Sequence, residues 1–389
     1  MFLKEEKWKF VIGFLTLLCA NAWAAIPRFP NHHVAPVVRV LVEKAPKRLF
    51  LEGFDVYLTD VSTKHLRAHQ DRNAYYQFDC PKEGKLRVFD RFRRLFESNA
   101  PLQVTSRGGF IRVGQKQFRE NMIVYSKKNG CAIVNHLDLE KYVAGLLNSE
   151  MNASWNMNTL KAQAVAARTY ALYQMQKGRH NRFDLVGTVD DQVYEGAHQE
   201  RYRAIRAVKE TEGLILTYHN KPIKAFYHST CGGKTESPEQ VWGARVPYAK
   251  AVKCGFCEES PRYQWSYSLP KLVFESSIRK EGLLKGDLLA MNVVERTKIG
   301  RAKTVELIGT KGVTHVKAIK IRDLFGTGFI RSTNFTTNMK RDFVTFQGRG
   351  SGHGVGMCQW GARAMGERGY LFQQILKHYY PNAKLTQLY

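Results

Sequence analysis

The chain has 389 residues, 44 % hydrophobic and 12 % aromatic; that is enough for one large domain or two ordinary ones, and too apolar for wholesale disorder. Sixty Lys and Arg against 34 Asp and Glu leave a formal charge of +26, which attracts polyanions. No period of solenoid length repeats along the chain.

Residues 1–24 read as a signal peptide. Lys4, Lys7 and Lys9 form a basic start, Phe10 to Ala20 an apolar run, and Ala22-Trp23-Ala24 a small-x-small cleavage site. Leu18 stands before Cys19 where a lipoprotein signal carries a small residue, which argues against lipidation. The apolar run is short for a membrane span, and no later segment is long and apolar enough. The expectation is an exported protein, periplasmic or secreted, with no transmembrane anchor after cleavage. The polyanions it would meet there are cell-wall carboxylates, wall phosphates and lipopolysaccharide, so nucleic acid is not an expected partner.

Residues 25–100 read as an N-terminal β-rich region and 101–389 as a second domain. Val37–Val42, Leu49–Leu51 and Phe54–Leu58 are strand candidates, with Gly53 at a turn. Phe110–Val113 follows Gly108-Gly109, and Asn129-Gly130 marks a hairpin between Met122–Tyr125 and Cys131–Val134. The period then changes. Asp138 suits the N-cap of a helix through Tyr142, Val143, Leu146 and Leu147. Asn156 or Asn158 caps a second helix, on which Leu160, Ala164, Ala167, Ala171 and Met175 recur at helical spacing until Gly178. Arg201–Val208 is a third helix candidate. Strands are expected at Gly213–Tyr218, Ile223–His228, Val305–Ile308 and Phe343–Phe346, and a last helix at Leu371–Tyr380, before Pro381. The fold class is α+β, a domain of mixed strands and a few helices with the β-rich portion packed on it.

Three segments carry chemistry. The first is Asn148-Ser149-Glu150-Met151 with the helix Lys161-Ala162-Gln163-Ala164-Val165-Ala166-Ala167-Arg168-Thr169-Tyr170. The second is Tyr227-His228-Ser229-Thr230-Cys231-Gly232-Gly233, and the third Gly350-Ser351-Gly352-His353-Gly354-Val355-Gly356-Met357-Cys358-Gln359-Trp360-Gly361. In this order, with Asp191-Gln192-Val193-Tyr194 and Val241-Trp242-Gly243 between, they resemble the SpoIID family, also called the stage II sporulation D or LytB-type domain, over roughly residues 100–389. The resemblance implies an α+β peptidoglycan lytic transglycosylase that cleaves the MurNAc–GlcNAc bond with Glu150 as general acid/base and leaves 1,6-anhydro-muramic ends. It implies glycan strands as partner and, through amidase-enhancer members, a cell-wall amidase. A hydrolytic muramidase and a non-catalytic amidase enhancer are the alternatives. Asn152 stands where proline is common in the family, and Cys358 where serine is.

The residues themselves agree. Glu150 ends an apolar helix beside Met151 and Trp155; desolvation and the helix C-terminus both disfavour its carboxylate and raise its pKa toward the range of a general acid. Plain hydrolysis normally needs two carboxylates; Asp190 and Asp191 are the nearest candidates, with loop or capping roles the alternative. Lys161, Gln163, Arg168, Tyr170, Gln192, Tyr194, His353 and Gln359 are substrate-binding candidates, Gln192 and Tyr194 because amides bond sugar hydroxyls and aromatic rings stack on pyranoses; a structural ion pair is the alternative for Arg168 and a buried, hydrogen-bonded role the alternative for His353. The glycines around His353 let backbone approach a ligand. His228-x2-Cys231 with Cys254-x2-Cys257 has the spacing of a structural zinc site, and zinc binding by some members of the family points the same way. A disulfide from Cys231 to Cys254 or Cys257 is the alternative in an oxidising compartment. Cys80 and Cys131 are left for a second disulfide, and Cys358 reads as a free buried thiol. No organic cofactor is expected.

Overall fold

A computed structural model describes residues 34–389 apart from Pro46 and Arg179; the expected signal peptide lies outside the described residues. The chain is mixed α+β. Alternation of apolar and polar residues builds its first half: along Ala74–Lys82, Ala74, Tyr76, Phe78 and Cys80 turn inward and the residues between them outward. Two sheets result. One runs in the order Leu185–Val186, Val37–Ala45, Gly130–Asp138, Asn121–Lys127, Leu102–Ser106, Val56–Asp60, Leu66–Gln70. The other runs Lys116–Arg119, Phe110–Val113, Arg48–Gly53, Ala74–Lys82, Lys85–Phe89, Arg94–Ser98. Val40, Leu58, Val104 and Ile133 of the first share one core with Leu51, Tyr76, Phe78 and Val88 of the second. The Cys80–Cys131 disulfide ties the sheets together. A boundary at residue 100 falls inside this sandwich, because Leu102–Ser106 pairs with Val56–Asp60.

The sandwich leads into α1 (Leu139–Glu150) and α2 (Met157–Lys177). Asp138 caps α1 by accepting from Glu140 N and Lys141 N. Asn156 caps α2, and Gly178 ends it in the left-handed conformation. Small residues, among them Ala162, Ala164, Ala166 and Ala167, bury α2 on most of its circumference. It packs against α1, α3 (Tyr202–Lys209), the strand Leu214–Tyr218, α7 (Gln359–Glu367) and α8 (Phe372–Tyr379). Arg168 of α2, 0 % exposed, binds Glu140 of α1 through Nε at 2.7 Å and Nη2 at 2.6 Å, and donates to the carbonyl of Leu214. Glu140 also accepts from Gly213 N and the Tyr389 hydroxyl, so one ion pair joins α1, α2, a strand and the C-terminus.

The short helix α4 (Pro238–Trp242) precedes a unit that residues 264–349 build around a core of their own. It holds α5 (Lys271–Lys280), α6 (Ala318–Phe325) and two three-stranded sheets, and Phe274, Ile278, Leu288, Val305, Ile321 and Phe346 lie inside it. The chain leaves for this unit and returns from it at one place. Thr230 bridges Ser351, and Tyr227–His228 pairs in parallel with Met357–Cys358. Only Tyr227–His228 of the strand expected at Ile223–His228 joins a ladder. Among the described residues no helix is long and apolar enough to cross a membrane.

Candidate functional site

Glu150 closes α1, and the chain turns to an extended conformation at the buried Met151. The residue keeps some solvent access, but protein atoms enclose its carboxyl group. Desolvation raises the carboxyl pKa from 4.5 to about 7, against the opposing pull of hydrogen bonds from Val193 N, Tyr227 and Gln359. Val193 N donates to Oε1 at 2.8 Å, and Gln359 Nε2 reaches the Glu150 carbonyl at 3.2 Å.

A chain of donors points at this acid. The Tyr142 hydroxyl donates to Gln192 Oε1 at 3.0 Å, and Gln192 Nε2 donates to the Tyr227 hydroxyl at 3.0 Å. Tyr227 in turn favours the charged form of Glu150 and so opposes part of the desolvation. Gln192 is 1 % exposed and Tyr194 2 %, and Tyr194 donates to Asn135 at 2.9 Å. Burial takes both off the sugar-binding role expected of them. They anchor the loop from either side of Val193 and so aim its N–H at Glu150.

The other expected site residues divide. Gln359 reaches Glu150. Arg168 belongs to the Glu140 pair, and Gln163 is fully buried in α2. Lys161 pairs with Glu210. The Tyr170 hydroxyl donates to Asp191 at 3.0 Å, and Asp191 also accepts from Gln174 and Val186 N, so it braces a loop. His353 accepts from Val355 N at 3.0 Å, and burial beside Arg301 and Arg322 pushes its pKa down to about 3, which keeps it neutral. Two of its glycines are pressed against protein. A Cβ on Gly356 would lie 2.0 Å from the Phe226 carbonyl, and one on Gly354 2.4 Å from the Arg301 guanidinium.

Aromatic rings lie on the segments flanking the acid. Trp155 and Trp360 meet edge to face at 5.3 Å with the Arg363 guanidinium over both. Phe226 stacks on Trp242 at 4.8 Å, and His353 lies 5.2 Å from Trp242. Trp242, Gly352 and His353 form one wall of a cleft of about 670 Å³, and Thr297, Lys303, Lys317 and Arg322 of the inserted unit line it too. Glu150 does not line this cleft. Sequence reasoning missed Tyr227, although it stands in a quoted motif; its signal is a tyrosine placed directly before His228.

The cysteines correct the expected ligand set. Cys231, Cys254, Cys257 and Cys358 bring their four sulfurs within 4.8 Å of one another, all buried and none in a disulfide. His228 is outside this group of converging ligand atoms; its Nδ1 donates to the Val355 carbonyl at 3.0 Å. Cys358, read from sequence as a free thiol, takes its place.

A family model described as Stage II sporulation protein, SpoIID, matches residues 127–218, and one for a domain of unknown function matches residues 251–356. A Stage II sporulation protein D of Bacillus amyloliquefaciens is 33 % identical over 271 residues, 65 % of this chain and 76 % of that protein. The chain belongs to the SpoIID family. An uncharacterized protein of Brachyspira hyodysenteriae is 34 % identical over 249 residues, 64 % of this chain and 66 % of its own length. A protein of Bacillus subtilis named Amidase enhancer is 30 % identical over 290 residues, 62 % of this chain but 40 % of that protein. The SpoIID match covers α1 and α2, which carry Glu150 and its ion-paired base, whereas the second match covers the inserted unit.

Proposed function

We propose that this SpoIID-family protein is an exported enzyme that cuts peptidoglycan glycan strands between MurNAc and GlcNAc by lytic transglycosylation, with Glu150 as its acid and base. The observation that carries this reading is the enclosed Glu150 carboxyl, raised to about 7 by desolvation. An acid/base works best with a pKa near the operating pH. Glu150 as the acid gives its proton to the glycosidic oxygen while the bond from C1 of MurNAc to that oxygen breaks. As the carboxylate it takes the proton of the MurNAc C6 hydroxyl, whose oxygen bonds to C1 and closes the 1,6-anhydro ring. The acid is regenerated, and no second carboxylate or water is consumed. Val193 N and Tyr227 fix the carboxyl's orientation, and Tyr227 stabilises its charge between the two steps. The net charge of +26 favours an anionic wall as the surface to be found.

Mass spectrometry of sacculi digested with this protein tests the proposal. Anhydro-muropeptides from the wild type and none from Glu150→Gln are expected. Reducing-end products would mean hydrolysis and a different second group. The relative named Amidase enhancer favours a second reading, in which the chain binds the wall and stimulates an amidase without cutting glycan. A merely binding protein has no use for a carboxyl whose pKa is raised to about 7, and this weighs toward the first reading.

A further inference from the structure

The four cysteines converge from three places. Cys231 follows the strand Tyr227–His228, Cys254 and Cys257 lie in the loop that leads to the inserted unit, and Cys358 caps α7. Their exposures are 0, 2, 1 and 0 %. Cys231 and Cys257 sulfurs are 3.4 Å apart, and every pair in the group is within 4.8 Å. A tetrahedral zinc ion with Zn–S bonds of about 2.3 Å spaces its sulfurs by about 3.8 Å, so small adjustments bring these side chains onto one ion.

The surroundings are those of thiolates. Cys231 N donates to the Cys358 sulfur at 3.3 Å and Gly361 N at 3.4 Å, while the Tyr379 hydroxyl lies 3.2 Å from the Cys254 sulfur. Such contacts orient ligands and hold their charge. A Cβ on Gly361 would lie 2.6 Å from the Cys254 sulfur, so the helix presses against the group. Arg301 comes from the inserted unit. It is 1 % exposed, its Nη2 donates to the Cys231 carbonyl at 2.8 Å, and among the described residues its Nε and Nη1 have no hydrogen-bond partner. Glu236, also buried, acts on it from beyond hydrogen-bond reach. An unpaired buried cation is costly. Four thiolates around a divalent ion leave two negative charges, one of which a neighbouring guanidinium offsets.

We propose that Cys231, Cys254, Cys257 and Cys358 hold one zinc ion in a closed four-thiolate site, with Arg301 of the inserted unit as its charge partner. Each Zn–S bond replaces an S–H bond, the protons pass to solvent, and nothing is oxidised or reduced. With four protein ligands the site has no open position and activates no water. It braces the parallel pair that carries Tyr227 and Cys358, next to Gln359, and so ties the inserted unit to Glu150. The proposal is independent of the glycan-cleaving one.

The test is metal analysis and native mass spectrometry of the full chain, together with the absorption spectrum after cobalt replaces zinc. One zinc per chain and a tetrahedral, four-thiolate cobalt spectrum are expected. Cys358→Ser should weaken zinc binding at least about 100-fold, and Arg301→Met about 10-fold, the range for groups that support a metal site. His228→Ala should leave zinc content unchanged. Should Cys358→Ser fail to fold, the cobalt spectrum of the wild type still separates four thiolates from three with an imidazole. A metal-free protein whose mass shows a disulfide in addition to Cys80–Cys131, or a spectrum with imidazole ligation lost in His228→Ala, would overturn the proposal.

Discussion

Arg168 and Arg301 are buried to the same extent, 0 % and 1 % exposed, in two regions that treat the charge differently. In the α1–α2 base, Arg168 has a bidentate carboxylate and backbone carbonyls. In the cysteine corner, Arg301 has one carbonyl, and the thiol group stands beside it. Buried charge is tolerated when it is matched. The base is matched from within the chain; under the zinc proposal the corner is matched by metal-bound thiolates. Glu150 is a third case, a carboxyl whose surroundings disfavour its charge.

If that contrast is right, the largest effect comes from the group left unmatched. Glu150→Gln should lower glycan cleavage about 10³-fold, measured as release of soluble fragments, with the fold retained by circular dichroism. Next comes the base. Arg168→Met strands Glu140 and should destabilise by about 3–5 kcal/mol in urea unfolding, with or without a chelator. Arg301→Met should destabilise only the zinc-loaded protein. Equal losses from both in chelator would break the comparison.

A smaller effect concerns Glu150 and stability. A carboxyl with a raised pKa binds its proton more tightly when folded, so its contribution is intact below its usual 4.5, falls as pH rises and is gone above about 7. Glu150→Gln should therefore unfold like the wild type at pH 4 and be more stable at pH 8, by on the order of 3 kcal/mol. No gain at pH 8 would mean the carboxylate is well solvated. The smallest effect is that of Tyr227→Phe. Losing a bond that favours the carboxylate should move the Glu150 titration upward, by less than about one unit, read from the alkaline limb of the pH–rate profile.

Local signals made much of the fold legible. Alternation showed several strands of the sandwich, and Asp138, Asn156 and Gly178 marked ends of α1 and α2 because capping is decided within a few residues. The inserted unit was not seen as a separate core. Its strands bury few positions, as in the pattern of Gln264–Pro270, and no Gly or Pro linker sets it off. Glu150 was legible because the end of its own helix supplies part of its environment. Gln192 and Tyr194 were misread because residue type does not say which way a loop faces. Cys358 lies 127 residues from Cys231, so only folding shows them as neighbours; the signal was the cysteine itself, where the family commonly has serine.

The most direct test of the central claim is the rate of soluble fragment release from sacculi by the wild type between pH 5 and 9. If Glu150 must carry the first proton, the rate falls above about pH 7 and approaches a tenfold loss per unit. A rate unchanged up to pH 9, or one already falling at the ordinary carboxylate pKa near 4.5, would contradict it.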